Sequence, residues 1–319
     1  MSLFMVQSAK FLALFLIVTF SLSTIGRYHW IFALLSHFKI QYFIGGLLLC
    51  GILFPSHYFL SFLMFTIAII SYVQTRLPMT EPWMFTTQPS QRDTPVFKIA
   101  QYNKYYKNQH HQRFYNTLKD ADLILMQEVA RTEIEHIRDQ FVHTHPFRLP
   151  PELPRANALF ILSKYEIQNL EFKKIAPDIC TTLGVRFEIS PANTTSPIVI
   201  YSVHTEAPIG KNAVIHNAEL SDMAQWIAQD KAQNIIFMGD WNTTPYAPAF
   251  QDLLARTQLN YQNYSYLSQG SWPSFFLLPA LTIPIDHILF SNALNLLSIE
   301  KGASSGSDHF PIIATIGIK

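Results

Sequence analysis

The first 80 residues contain no Asp and no Glu, and their only charged side chains are four basic ones, Lys10, Arg27, Lys39 and Arg76. Charged residues make up 14% of the 319-residue chain, whereas about 25% is usual for a soluble protein. Hydrophobic residues make up 49%. The shortage of charge is therefore concentrated at the amino terminus, where it argues against a soluble domain and predicts contact with lipid.

Cysteine is scarce as well, since Cys50 and Cys180 are the only two. This count excludes a disulfide scaffold and a zinc site built from thiolates, and it leaves the cellular compartment open. An excess of positive charge is also missing, because residues 81–319 contain 19 lysines and arginines and all 22 acidic residues. Tight non-specific binding of nucleic acid depends on such an excess, so the charge balance argues against it.

Two long uncharged runs are present near the amino terminus, at residues 11–26 and 40–75. The first lacks a small-residue cleavage site, and the chain becomes apolar again at Trp30, so we interpret it as an uncleaved anchor rather than a signal peptide. The second exceeds one span of about 20 residues and is divided by Pro55. We predict a multi-pass membrane anchor at residues 1–76 with two or three spans; a re-entrant hairpin is the alternative for the second run.

The four basic residues leave the orientation of this anchor open. If three spans keep Arg27, Lys39 and Arg76 on the cytoplasmic side, the rest of the chain lies in the cytoplasm. If Lys10 and the amino terminus lie there instead, the rest of the chain is exported.

Residues 77–95 are rich in Pro, Thr and Gln and are typical of a linker, so we predict a compact domain at residues 96–319. Within it, eight short apolar runs predict strands, and helical patterns occur at residues 109–119, 131–141, 212–230 and 247–257. Some strands are separated by helices and others by turns. This order favours a mixed α/β sandwich of two sheets with helical outer layers over a purely parallel sheet.

Carboxylate, amide and imidazole side chains recur at the ends of these predicted strands. They are Asn103, Glu128, His204, Asp240, Asn242, Asp286, Asp308 and His309. Each one alone is better explained as a turn former or a structural polar residue, but turn chemistry does not predict the combination. If the strand ends meet at one edge, hard oxygen ligands there favour Mg²⁺ or Mn²⁺ over Zn²⁺. Hydrolysis of a phosphate ester needs such a cation, a base for water and donors for developing charge.

Two motifs in the order MGDWN (residues 238–242) and SGSDHFP (residues 305–311) resemble those of the endonuclease/exonuclease/phosphatase superfamily, and specifically a bacterial branch with N-terminal transmembrane helices. The resemblance covers about residues 96–319. It implies a four-layered α/β sandwich and hydrolysis of phosphodiesters or phosphomonoesters with a divalent metal, Mg²⁺ or else Mn²⁺. It also implies a location in a bacterial inner membrane.

The resemblance implies roles for individual residues. Glu128 matches the principal metal carboxylate, Asn103 stands beside it, and Asp308 assists the metal site. Arg155 and Asn157 lie in a segment that often contacts substrate, and a surface role explains them equally well.

The remaining positions match the catalytic groups of the family. Asp240 matches the carboxylate that positions or deprotonates the attacking water, and Asn242 the amide that contacts phosphate. His309 matches the histidine near the scissile phosphate, and Asp286 would fix its tautomer. His204 matches a second histidine that contacts phosphate or protonates the leaving oxygen.

The sequence thus predicts a membrane-anchored, metal-dependent phosphoesterase. Its partners would be membrane lipid and a phosphate-ester substrate, which is a lipid, a nucleic acid or a small molecule; no protein partner is inferred. A nuclease and a catalytically silent binding module are the alternatives, and the complete set of eight polar residues favours an enzyme.

Residues 271–284 (SWPSFFLLPALTIP) are apolar for a loop beside a phosphate site. The simpler interpretation places them in the core; the other places residues 275–278 near the bilayer, where they would admit a lipid-like substrate.

Overall fold

A computed structural model describes residues 3–78, 96–148, 159–191, 194, 196–262, 270–275 and 278–318. The α-helices are α1 (Leu3–Ser23), α2 (Trp30–Ser36), α3 (Lys39–Leu53), α4 (Tyr58–Arg76), α5 (His111–Leu118), α6 (Ile134–Phe141), α7 (Asn212–Gln229) and α8 (Pro248–Thr257). The strands are β1 (Val96–Asn103), β2 (Leu123–Gln127), β3 (Phe147–Arg148), β4 (Phe160–Ser163), β5 (Gln168–Lys174), β6 (Leu183–Ile189), β7 (Ile198–Ser202), β8 (Ile235–Asp240), β9 (Asn260–Tyr261), β10 (Asp286–Phe290), β11 (Leu294–Lys301) and β12 (Ile312–Ile318).

The strands form two six-stranded sheets, ordered β11-β12-β1-β2-β4-β3 and β5-β6-β7-β8-β10-β9. Both sheets are mixed, because β1 is parallel to β2 and β7 is parallel to β8 while the other neighbours are antiparallel. Their inner faces pack against each other through Ile99, Leu125, Ile200 and Met238. Side chains of α7 and α8 cover the outer face of the second sheet, and those of α5 and α6 cover the first. The predicted mixed sandwich is confirmed.

Strand β8 shows why the central strands were recognisable from sequence. All six of its residues are buried, because inward-facing Ile236 meets the first sheet and outward-facing Phe237 meets the helices. Strand β5 (QNLEFKK), which the sequence did not predict, lies at the edge of its sheet and is largely exposed. An edge strand exposed on both faces has no apolar alternation to mark it.

The amino-terminal helices pack together as an apolar bundle. Helices α1 and α4 are long and apolar enough to cross a membrane, and α2 with α3 forms a pair bent by 64°, so the described residues hold two or three candidate spans. Helices α3 and α4 form a hairpin, and Gly46 lets them approach closely: a Cβ there would lie 2.8 Å from the carbonyl oxygen of Met64. Leu16 and Phe20 of α1 pack against this hairpin.

Three polar contacts fix the ends of this bundle. The Nζ atom of Lys39, the first residue of α3, donates to the Oγ of Ser23, the last residue of α1, at 2.8 Å. The guanidinium of Arg27 binds both carboxylate oxygens of Asp252 on α8 at 2.8 Å. The Nε2 atom of Gln41 donates to a backbone oxygen of the loop before β10. The bundle is therefore docked on the sandwich as well as tethered to it.

Candidate active site

The sheet topology brings the polar strand ends together at one edge of the sandwich. Asp286, the first residue of β10, pairs in register with Asp240, the last residue of β8. In the other sheet Asn103 ends β1 and pairs with Gln127, the residue before Glu128. Because parallel strands end at the same edge and an antiparallel neighbour begins there, both sheets present their polar residues to one pocket.

Asn103 joins the two sheets at this pocket. It is 1% exposed, and its Nδ2 atom donates to Glu128 Oε1 at 3.0 Å and to Asp240 Oδ2 at 2.8 Å. Its Oδ1 atom accepts a hydrogen bond from the backbone N–H of Tyr105 at 2.9 Å. A single buried amide thus fixes the relative position of a carboxylate from each sheet.

The turns that follow β2 and β8 hold strained backbone. Glu128 has φ of 54° and Asn242 has φ of 47°, in the left-handed region that non-glycine residues seldom occupy. The strained turn at Asn242 is held by two hydrogen bonds: its backbone N–H donates to Asp240 Oδ1 at 3.0 Å, and its Nδ2 donates to the carbonyl of Thr205 at 2.8 Å. Strain of this kind persists where surrounding contacts determine the conformation, as they do at active sites.

His309 and Asp286 form a buried pair. The Nδ1 atom of His309 lies 2.8 Å from Asp286 Oδ2, and Asp286 Oδ1 accepts from Gln101 Nε2 at 3.1 Å. The opposite ring nitrogen, Nε2, lies 3.7 Å from Asp240 Oδ2. Burial disfavours the charged ring, but the carboxylates of Asp286 and Asp240 outweigh it and raise the pKa of His309 to about 9. The carboxylate of Asp286 therefore fixes a proton on Nδ1 and directs Nε2 towards Asp240.

His204 approaches the same carboxylate independently. Its Nε2 atom lies 3.6 Å from Asp240 Oδ2 and 4.0 Å from Glu128 Oε1. The carboxylate of Asp240 therefore lies among two imidazole nitrogens and one amide nitrogen. These neighbours hold its negatively charged oxygens in a fixed position.

Asp308 is placed differently from the other predicted site residues. Its Oδ2 atom accepts from the indole Nε1 of Trp272 at 3.2 Å, and its backbone oxygen accepts from the N–H of Ser274 at 2.7 Å. It thus links the pocket to the loop before β10, and its role as a metal ligand stays a prediction. Arg155 and Asn157 lie outside the described residues.

The residues that form this site lie in a segment that matches a known protein family. A model of the Endonuclease/Exonuclease/phosphatase family matches residues 100–309, the segment that carries all ten predicted site residues. The chain belongs to this family. Membership makes it a hydrolase of the metal-dependent phosphoesterase class. No curated protein matches the sequence significantly.

Solved structures agree with this assignment at the level of the fold. An endonuclease/exonuclease/phosphatase from Beutenbergia cavernae DSM 12333 is 13% identical with a TM-score of 0.55, over 70% of this chain and 72% of that one. Sphingomyelinase C from Streptomyces griseocarneus is 14% identical with a TM-score of 0.50, over 71% and 100%. A mutant beta toxin from Staphylococcus aureus with bound magnesium ions is 16% identical with a TM-score of 0.51, over 68% and 98%. At identities this low, the structural similarity shows a shared fold alone.

The donor set of this family member fits a divalent cation. Asp240 and Asp286 are 1% and 2% exposed, and one ligand atom each from these two residues and His309 lie within 4.8 Å of one another. Glu128 and Asp240 accept from the same amide nitrogen of Asn103, so a third carboxylate lies near this group. These carboxylates carry negative charge that a bound cation would stabilise.

Sequence reasoning missed the residues that support these groups. Gln101 and Gln127 exchange two amide hydrogen bonds, at 2.5 and 2.9 Å, and Gln101 also binds Asp286. Side chains two residues apart in a strand share a face, so Gln101 lies on the same inner face of β1 as Asn103. That alternation was a readable signal. The role of Ser307, whose Oγ donates to the backbone oxygen of Asn103 at 2.7 Å, left no such signal.

The residues next to the two aspartates face the opposite way. Trp241 is fully buried and stacks on Phe237 with ring centroids 4.1 Å apart. His287 packs beside Trp241, and its Nε2 atom lies 2.7 Å from the backbone oxygen of Thr243. Burial lowers the pKa of His287 to about 4, so the ring is neutral and donates that hydrogen bond. These rings support, from the outer face of the sheet, the strand ends that carry Asp240 and Asp286.

Proposed function

We propose that this family member is a membrane-anchored phosphodiesterase that uses a divalent metal ion to direct water at a phosphate ester. The observation that carries the proposal is the position of Asp240, which accepts from Asn103 and lies 3.6 and 3.7 Å from the ring nitrogens of His204 and His309. A rigid, buried carboxylate beside two imidazoles suits the activation of water next to a phosphoryl group.

Glu128, with Asn103 beside it, would hold the metal, and Asp308 would assist. A bound cation supplies positive charge for the oxygens of the phosphate as negative charge develops on them. Mg²⁺ is the first choice and Mn²⁺ the second, because the donors are hard oxygens. The magnesium ions bound to the similar beta toxin support this choice.

The chain's own groups would carry out the proton transfers. Asp240 orients the attacking water and accepts one of its protons as the water oxygen bonds to phosphorus. His309, kept protonated by Asp286, donates a hydrogen bond from Nε2 to a phosphoryl oxygen. Asn242 contacts the phosphate. As the bond from phosphorus to the leaving alcohol breaks, His204 gives a proton to the alcohol oxygen. The excess of acidic over basic residues in residues 81–319 gives the nuclease alternative little support, and the complete polar set disfavours the silent module.

Removal of the metal is expected to abolish this activity. Full-length protein in detergent should hydrolyse bis(p-nitrophenyl) phosphate with Mg²⁺ or Mn²⁺, lose turnover in chelator and regain it when the metal returns. Glu128→Gln should raise the metal concentration for half-maximal rate by about tenfold or more, because a ligand loses its charge. Glu135→Gln, at a side chain 59% exposed on α6, is the control and should behave as wild type. Full activity after chelation and dialysis would contradict the proposal.

We further propose that residues 1–76 form the anchor, residues 77–95 the linker and residues 96–319 the catalytic domain, which lies on the cytoplasmic face of a bacterial inner membrane. Arg27 contacts the sandwich directly, Lys39 is bonded to the end of α1, and Arg76 ends the hairpin partner of α3. These three basic residues therefore lie on the side of the catalytic domain, and Lys10 lies nearer the opposite end of α1. By the positive-inside rule, this distribution of charge supports a cytoplasmic catalytic domain.

Labelling of single cysteines tests this orientation. In a background with Cys50→Ser and Cys180→Ser, Ser56→Cys lies in the exposed turn between α3 and α4, and Asp178→Cys lies in an exposed loop of the sandwich. In intact spheroplasts a membrane-impermeant maleimide should label the first and reach the second only after lysis. The reverse pattern would place the domain outside, and labelling of both without lysis would contradict a membrane-crossing anchor.

A further inference from the structure

The segment between β9 and β10 exposes apolar side chains beside the pocket. We call its described residues, 270–275 and 278–284, the tryptophan loop. Phe275 is 67% exposed, Leu278 is 63% exposed and Leu281 is 48% exposed, while Trp272 is partly exposed. The core interpretation of this stretch is thus wrong for these side chains; residues 276 and 277 lie outside the described residues. A cluster of exposed apolar side chains of this kind marks a surface that meets something apolar.

The tryptophan loop is built into the site. The indole Nε1 of Trp272 donates to Asp308 Oδ2 at 3.2 Å, and the Oγ of Ser274 donates to the backbone oxygen of Ser307 at 2.5 Å. The Oγ of Ser271 accepts from the backbone N–H of Asp286 at 3.1 Å. The exposed apolar side chains are therefore a few residues from Trp272 and Ser274, which contact Asp308 and Ser307 beside His309.

The same loop is bonded to the membrane anchor. The Nε2 atom of Gln41 donates to the backbone oxygens of Ala280 at 2.7 Å and Thr282 at 3.2 Å. Gln41 lies in the first turn of α3, two residues after Lys39. Lys39 also donates to the last residue of α1, so in the membrane anchor proposed above this turn would mark the level at which the helices leave the apolar layer. The tryptophan loop would then lie at the height of the bilayer surface.

We propose that the tryptophan loop inserts Phe275 and Leu278 into the interfacial layer of the bilayer, and that the substrate is a phosphate ester of a lipid in the adjoining leaflet. The inference rests on the proposed function and names the substrate class for the same site. Tryptophan and other apolar rings next to polar groups suit this layer. In the reaction, the oxygen of water bonds to phosphorus, the bond from phosphorus to an alcohol of the lipid breaks, and one proton of the water ends on that alcohol.

The surroundings of the apolar surface favour a lipid as the molecule that contacts it. A soluble ester would gain nothing from two exposed apolar side chains at the rim, and a protein partner would have to share the surface with the bilayer that lies against α3. A lipid satisfies both constraints, because its phosphate lies at the level of Asp308 while its chains remain in the layer that the anchor occupies.

The test uses full-length protein reconstituted into vesicles of a bacterial polar lipid extract. The Phe275→Ser/Leu278→Ser variant is compared with Leu297→Ser, an exposed leucine of β11 near the end of that strand remote from the site. Loss of lipid phosphate esters is followed by phosphorus NMR, and bis(p-nitrophenyl) phosphate turnover is followed in the same samples. We expect the loop variant to lose lipid turnover by about tenfold or more and to keep turnover of the soluble ester, with the control unchanged.

The outcomes separate this inference from the proposed function. Turnover of the soluble ester without turnover of any lipid in the extract overturns the inference and leaves the phosphodiesterase in place. Absence of both defeats the proposed function. Equal loss of both in the loop variant also overturns the inference, because the side chains then act on the site itself. A fluorophore on Leu278→Cys should be quenched by nitroxide lipids, whereas one on Leu297→Cys should not; absence of quenching at both would place the loop away from the bilayer.

Discussion

Asp240→Asn is expected to lower kcat for bis(p-nitrophenyl) phosphate by about 10³-fold, within the range for loss of a general base. The amide keeps the shape of the carboxylate and can still accept from Asn103, so the protein should fold. It cannot accept a proton from water, and it removes the negative charge that lies 3.6 and 3.7 Å from the two imidazole nitrogens. KM should change little, because the substrate phosphate is anionic and does not bind through this carboxylate.

The measurement compares kcat and KM of the purified variant at saturating Mg²⁺ with those of wild type and of Asp139→Asn. Asp139 is an aspartate on α6 whose side chain is 72% exposed, so its variant controls for the chemistry of the substitution. A near-normal kcat for Asp240→Asn would show that Asp240 is not the general base and that its carboxylate only accepts the hydrogen bond from Asn103. Circular dichroism of both variants must match wild type for the comparison to hold.

The strands that carry the candidate site could be predicted from sequence because their signals are local. Buried central strands are runs of apolar residues, and a carboxylate at the end of such a run is conspicuous, as at Asp240. All eight predicted strands are present, as is the break at Pro55 that separates α3 from α4. The edge strands β3, β5, β9 and β11 were missed, because each is short or exposed and its pairing is determined by neighbours distant in sequence.

The remaining features depend on tertiary approach. The contacts of Arg27 with Asp252 and of Gln41 with the tryptophan loop join residues more than 200 positions apart, and no periodicity records them. The family resemblance implies that Asp308 assists the metal site, and that role stays a prediction. The contact of its side chain with the indole of Trp272 joins residues 36 positions apart, and no local pattern records it.

Asp286 and His309 are expected to act as one unit. His309→Ala should lower kcat by about 10²- to 10³-fold, because the donor facing the phosphate is lost. Asp286→Asn should lower kcat by about 10²-fold, although Asp286 need not touch substrate, because the carboxylate that fixes the proton on Nδ1 is replaced by an amide. The double variant should be no slower than His309→Ala alone, since groups that act through one another are not additive.

A double-mutant cycle on kcat, with the pH profile of each variant, distinguishes a positioning role from a structural one. The two carboxylates hold the pKa of His309 high, so removal of Asp286 should lower it and move the alkaline limb of the profile to lower pH. Loss of rate with an unmoved profile would mean that Asp286 only supports the fold. Fully additive losses in kcat would mean that each residue contacts the substrate independently. The hydrogen bond of 2.8 Å between Asp286 and His309 argues against independent roles. Non-additivity with a shifted profile would establish that Asp286 acts through the ring of His309.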